Sequence, residues 1–224
     1  MKRLRVAPGI LACICFSLAS YAAADEPGEP WELRLDRDGV QVYTSAVAGS
    51  PYDAVLSRTL VSELRLSALA AVILDAEACP RWADRCAESS VHELISDSEA
   101  LVYTLNDLPF PVRDRDVLAH VKWTQDADSL AVTMHSEATT ELLPENRGVT
   151  RLVDAQTTWD FTPLPNGDVE VINWAHIDPG SNLPAWITNM LLIDTPFETM
   201  KALVAEARTA PYVEAEVSFI REPR

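Results

Sequence analysis

The sequence predicts an α+β domain in which a curved antiparallel sheet of about nine strands grips a long C-terminal helix. Three observations carry this. Apolar and polar residues alternate through most of the chain between 31 and 176, with turns marked by Gly, Asp and Asn. The period becomes helical in two places, briefly after Ser67 and at length after Pro184. In the long segment Trp186, Met190, Ile193, Phe197, Met200, Val204 and Ala207 recur at spacings of four and three, which defines a broad apolar face. A helix with such a face cannot remain exposed, and the concave side of a curved sheet is the surface available to bury it.

The first residues stand apart from this domain. Lys2, Arg3 and Arg5 open the chain, Ile10–Ala19 is a short apolar run, and Ala22-Ala23-Ala24 offers the small residues read by a signal peptidase. Residues 1–24 are therefore expected to be an export signal, residues 25–208 the domain and residues 209–224 a C-terminal tail. Removal of the signal leaves 200 of the 224 residues, a length suited to one domain with a substantial core. It also shifts the formal charge from −16 to −19 by taking away three basic residues. So acidic a protein repels phosphate backbones, which argues against a nucleic-acid partner. A periplasmic or secreted location and a monomer are expected.

From Trp31 the chain reads as strand. Trp31, Leu33 and Leu35 alternate with charged residues, Asp38-Gly39 supplies a tight hairpin, and Val40 and Val42 return. A third strand spans Ala54–Val61. A short helix is then inserted, with Ser67 as its expected N-cap and Leu69, Val72, Ile73 and Ala76 on one face up to Pro80. Six further strands follow: Val91–Ser96, Ala100–Leu105, Val117–Thr124, Leu130–Leu142, Thr150–Phe161 and Val169–His176. In residues 209–224, Val213, Ala215, Val217 and Phe219 alternate with polar residues, leaving a short strand or a disordered tail as alternatives.

Cys79 and Cys86 remain after the signal is removed. A regular helix would hold their Cα atoms about 10 Å apart, so a disulfide requires a turn between them, for which Pro80 provides a break. A bridge and two buried thiols are the two readings. The four histidines, His92, His120, His135 and His176, fall in predicted strands, and none has a second histidine two or four residues away. No metal or other cofactor is expected. By alternation His176 shares a face with Trp174 and Ile172. Nucleophile-elbow, zinc-protease, glycine-rich nucleotide and Walker motifs are absent, so no catalytic residue is assigned.

Two segments resemble a known family. The loop Pro109-Phe110-Pro111-Val112-Arg113-Asp114-Arg115-Asp116 and the stretch from His176 through Asp178-Pro179-Gly180 to Trp186 and Asn189 are similar to those of the START domains, the StAR-related lipid-transfer family. Trp82 after the short helix and Trp159-Asp160-Phe161-Thr162-Pro163 before the last strand match as well, and the resemblance spans roughly residues 31–208. It implies the helix-grip fold, with a hydrophobic tunnel between sheet and C-terminal helix that binds and transfers a lipid or other hydrophobic ligand. Pattern alone leaves the helix face as either core or roof, and the resemblance makes it a roof.

The residues expected to line or gate that tunnel are Phe110, Arg115, Trp174, His176, Trp186, Met190, Ile193, Phe197 and Met200. Leu108 and Phe110 are candidates for transient membrane contact, with packing under the helix as the other reading. The charged pair of sterol-binding relatives would fall on Val121 and near Val102 or Tyr103, and neither charge is present, which weighs against strict mimicry of those proteins. A cavity enzyme of the cyclase or hydrolase type and a ligand-sensing interaction protein are the alternative functions.

Pro196 lacks an N–H and its ring crowds the carbonyl of Leu192, so an interruption of the helix is expected there. Pro196→Ala should straighten the helix and change the rate of lipid exchange between vesicles more than the equilibrium affinity. Equal effects on both would contradict a gating role.

Overall fold

A computed structural model of the chain describes residues 30–139, 143, 147–180 and 183–223. The predicted export signal lies outside the described residues. Three strands, Glu32–Arg37 (β1), Val40–Ser45 (β2) and Ala54–Val61 (β3), precede a helix, Leu66–Leu74 (α1). A single helical turn, Cys79–Trp82 (α2), leads into Cys86–Ser96 (β4), Glu99–Asn106 (β5), Arg115–Gln125 (β6) and Val132–Ala138 (β7). Next come Thr150–Arg151 (β8), Ala155–Pro163 (β9) and Val169–Ile177 (β10), then the helices Ala185–Asn189 (α3) and Thr195–Ala207 (α4).

The main path of the sheet has nine strands in the order β1-β2-β3-β10-β9-β7-β6-β5-β4, all antiparallel, and α4 packs across β2 and β3 and against α1. This is the α+β arrangement expected from the pattern. Asp38 and Gly39 both have positive φ, the geometry that lets a two-residue turn follow the twist of β1 and β2. The predicted strand Thr150–Phe161 is broken in the structure. β8 pairs in parallel with the start of β6, and β9 begins only at Ala155. Arg151 explains the detour, because its guanidinium clasps the buried Asp116 carboxylate through Nε–Oδ1 at 2.7 Å and Nη2–Oδ2 at 2.8 Å.

Cys79 and Cys86 are bridged, with Cα atoms 6.0 Å apart. The single turn α2, followed by Arg85 at φ 69°, supplies the break that a continuous helix would not. The loop so closed is fastened to α4. Asp84 N–H donates to Thr199 Oγ1 at 3.0 Å, and Thr195 Oγ1 donates to the Asp84 carboxylate at 2.8 Å. Arg81 reaches Glu206 at 2.7 Å and the Tyr212 hydroxyl, which in turn donates to Asp75 at 2.6 Å. Burial and then the Asp75 carboxylate push the Tyr212 phenol up to about 12.

The tail is neither strand nor disordered over the described residues. It makes a short 3-10 turn at Tyr212–Glu214, buries Tyr212 and Ile220, and lays Phe219 against Trp123 with ring centroids 6.3 Å apart. It therefore belongs to the domain, which does not end at residue 208. The tail also corrects the expected cap of α1. Ser67 lies inside that helix, and the N–H groups of Leu66 and Ser67 donate to the two carboxylate oxygens of Glu222, at 3.0 and 2.8 Å. A negative group here satisfies two orphan donors and opposes the helix dipole.

Glu222→Ala should therefore lower stability by about 1–2 kcal/mol, a fall of roughly 2–8 °C in Tm for a chain of this size, while Glu222→Gln should cost less. Calorimetric melting measures both, and an unchanged Tm for Glu222→Ala would remove the cap. Arg151→Met, which leaves Asp116 buried without its guanidinium, should cost about 3 kcal/mol in denaturant unfolding.

Candidate functional site

The inner face of the sheet is built in cross-strand rows. One row runs through Val121, Ser136, Thr157, Ala175, Val55 and Thr44. The next row inward runs through Trp123, Met134, Trp159, Asn173, Ser57 and Val42. Beyond it Phe161, Val171 and Thr59 are opposed. Alternation sends these side chains to the core, while Ile172, Trp174 and His176 go to the outer face. On β6 and β9 the deep rows are filled by large aromatic side chains. Trp82 meets Trp159 edge-on at 6.0 Å, and Trp159, Phe161, Trp123 and Phe219 continue as a column with centroids 6.3–6.4 Å apart.

At the other end, where β10 finishes, the face is open. A cavity of about 170 Å³ lies there. One wall is Pro51, Tyr52, Asp53 and Val55 at the entry to β3, and another is Ala175, Ile177 and Pro179 at the exit of β10. Leu183, Thr188, Leu191 and Leu192 close it from above. Asp53 is the one carboxylate on these walls, which are otherwise mostly apolar. Among the described residues no three His, Cys, Asp or Glu side chains converge as metal ligands.

The roof differs from α4 in kind. Met190–Asp194 forms a π turn between α3 and α4, immediately before Pro196. The break expected at the proline is thus a widened turn, which leaves room for a ring that crowds the carbonyl of Leu192. The π turn has no fully buried residue. In α4, by contrast, Phe197, Met200 and Leu203 are fully buried, and each contributes roughly 1.5–3 kcal/mol of apolar burial. The roof is therefore loosely held and α4 firmly held.

The structure places the sequence-predicted residues unevenly. Phe197 and Met200 are core. Phe197 lies under the β1–β2 hairpin, with the Arg37 guanidinium 4.1 Å and the Lys201 amine 4.8 Å from its ring centroid. Met190 and Ile193 belong to the π turn and are half-buried, but neither lines the cavity. Trp186 is 52% exposed, whereas its neighbour Ile187 is buried. Trp174 and His176 are on the outer face, where His176 Nε2 lies 3.0 Å from Ser50 Oγ, so neither belongs to the tunnel. Alternation correctly groups them with Ile172, but that shared face is the outer one, and the inner positions of β10 hold Asn173 and Ala175. The parity of Val169 and Val171 was the signal that identifies the correct face.

Arg115 is buried on the inner face, donating from Nε to the carbonyl of Pro179 at 3.4 Å and also to the carbonyl of Arg113. Desolvation lowers its pKa from the ordinary guanidinium value. Its geometry is that of a strut holding the β10–α3 loop at the cavity rim. Phe110 is 92% exposed, while its neighbour Leu108 is buried. Val153 and Ile177 are also exposed. Thr150 N–H bonds to Asp114 and Asp178 N–H to Asp154, both at 2.8 Å, tying these loops together at the cavity end of the molecule.

Comparison with known proteins agrees with this architecture. The START domain family profile matches residues 15–210. An uncharacterized protein of Pseudomonas aeruginosa is 32% identical over 198 residues, covering 88% of this chain and 95% of that protein. The crystal structure of a STAR-related lipid transfer protein (fragment 25–204) from Xanthomonas axonopodis is 31% identical with a TM-score of 0.72, covering 80% of this chain and 99% of that one. Human StAR-related lipid transfer protein 5 shares the fold at 14% identity and a TM-score of 0.71, covering 80% and 86% of the two chains.

Proposed function

Because the chain belongs to the START domain family, we propose that it binds a lipid or other hydrophobic molecule non-covalently and carries it to or from a membrane. The observation that carries this reading is the apolar cavity between the end of β10 and a roof whose π turn, Met190–Asp194, has no fully buried residue. At about 170 Å³ it is smaller than the roughly 300–1,000 Å³ of pockets that enclose drug-sized ligands. A lipid therefore enters by displacing the roof. The section that moves is centred on the π turn, since α3 is held by the buried Ile187 and α4 is fixed by its buried face and by its bonds to the disulfide loop.

The rim supports a membrane-facing role. Phe110, Val153, Ile177 and Trp186 expose large apolar side chains around the cavity end. Aromatic residues partition well to a membrane interface, and isolated apolar patches on a soluble surface mark contact sites. The strongly acidic composition disfavours electrostatic docking on anionic lipids, so the contact proposed is apolar and transient. An oxidising, extracytoplasmic compartment is part of the same proposal, supported by the leader-like residues 1–24 and by the Cys79–Cys86 bridge.

Phe110→Asp should leave equilibrium ligand binding unchanged and slow transfer between neutral vesicles about tenfold, the lower end of what losing one buried Phe is worth. A transfer rate equal to wild type would remove the membrane role of the loop. Organic extraction of the purified protein should release intact lipid.

A further inference from the structure

The row of inner-face residues just below the cavity contains polar groups that the fold does not use. Among the described residues, Ser57 Oγ and Trp82 Nε1 are the buried side-chain polar atoms with no hydrogen-bond partner in the protein. Both are reached along one cross-strand row. Ser57 is 1% exposed and faces Asn173 across β3 and β10, and Asn173 faces Trp159, on which the Trp82 indole sits at 6.0 Å. Asn173 spends its donors on Thr157 Oγ1 at 3.0 Å and the Thr158 carbonyl at 3.1 Å, leaving Oδ1 as an acceptor. A buried polar group without a partner loses its hydration for nothing, and folded proteins rarely keep one. Two along a single row, in a layer otherwise built of Trp123, Met134, Trp159, Asn173 and Val42, point to a ligand.

The position fits the open end of the molecule. Val55 and Ala175, which line the cavity, are the same-face neighbours of Ser57 and Asn173, one pleat repeat or about 7 Å away along their strands. One repeat deeper, Phe161, Val171 and Thr59 belong to the solid core, with Thr59 Oγ1 already bonded to the Gly39 carbonyl at 2.9 Å. The Ser57–Asn173 row is therefore the last layer that a molecule entering at the β10 end can reach.

Resting on the hydrophobic-ligand reading above, we infer that Ser57 and Asn173, with the Trp82 indole N–H at the Trp159 end of the same row, bind the polar end of the ligand, and that this end is an uncharged hydroxyl or carbonyl group. A serine hydroxyl donates and accepts, an indole N–H donates and an amide oxygen accepts, a set that matches a neutral oxygen function. None of these side chains carries a positive charge, so a phosphate or carboxylate placed here would be buried without compensation. Arg115, the buried cation on the same face, is already bonded to backbone carbonyls at the rim. The apolar remainder of the ligand then occupies the cavity and passes beneath Leu191 and Leu192.

The test uses three probes of equal chain length: n-dodecane, 1-dodecanol and dodecyl phosphate. The purified protein is incubated with an equimolar mixture below micellar concentrations, freed of unbound probe, extracted and quantified by mass spectrometry. Wild type should retain dodecanol about tenfold over either of the others, the selectivity expected of one or two hydrogen bonds made in a dry site. Ser57→Ala should bring the dodecanol-to-dodecane ratio close to one, and Trp82→Phe should lower it. The ligand-free Ser57→Ala protein should melt at or above the wild-type temperature, because its unpaired hydroxyl is gone. A ratio unchanged in both variants, as when an internal water serves these atoms, overturns the inference, and so does preference for dodecyl phosphate. In either case retention of probe leaves the hydrophobic-ligand reading standing. Retention of none of the three by wild type overturns that reading together with the inference.

Discussion

The burial of one helix face organises this molecule. Nine strands curve around a concave surface, and α4 fills it with Phe197, Met200, Leu203 and Ala207. Everything that touches α4 from outside reinforces that placement. The disulfide loop grips it through Asp84, α2 through Arg81, and the tail through Tyr212 at the centre of the Arg81–Asp75 network. The consequence is a sharp gradient along one continuous helical segment. C-terminal to Pro196 the segment is anchored on three sides, and N-terminal to it the π turn has no fully buried residue. Local opening follows the regions with least buried contact, and along this segment that region is the π turn.

The sheet beneath shows a matching gradient. Its deep rows are packed with stacked aromatics, which contribute area and fixed geometry to the core. Toward the end of β10 the same face turns to Ser57, Asn173, Thr157 and Ala175, small and polar residues that cannot fill the space under a helix. Such a face gives up stability relative to an all-apolar one, and proteins concentrate that sacrifice where they bind. The cavity and the unpartnered Ser57 hydroxyl thus lie about one pleat repeat apart on the same face of the sheet.

Much of this was legible in the chain. Strand alternation and turn residues located most of the strands, although β4 begins at Cys86 rather than Val91; the spacing from Trp186 to Ala207 identified the apolar helix, and Pro196 marked its interruption. The cysteine spacing required a turn, and α2 with the positive φ of Arg85 provides one. What failed was long-range. The N-terminal partner of α1 is Glu222, more than 150 residues away, so no local cap signal at Ser67 could reveal it. The break after Arg151 follows from an ion pair with Asp116, on a strand that ended well before. In β10 alternation groups Ile172, Trp174 and His176 on one face, but it does not say which face is inside, and the structure puts Asn173 and Ala175 there.

By itself, then, the sequence determined the elements, because helix and strand periods are written in neighbouring residues and each needs only its own backbone hydrogen bonds. It also determined the family, through motifs whose order along the chain is independent of geometry. The tertiary structure decided which side of each strand is inside, which part of the helix is core and which is roof, and which polar atoms are left without partners. Those are properties of contacts between residues far apart in the chain. A period of two specifies two faces equally well, and only the packing of α4 and the tail against one of them breaks the tie.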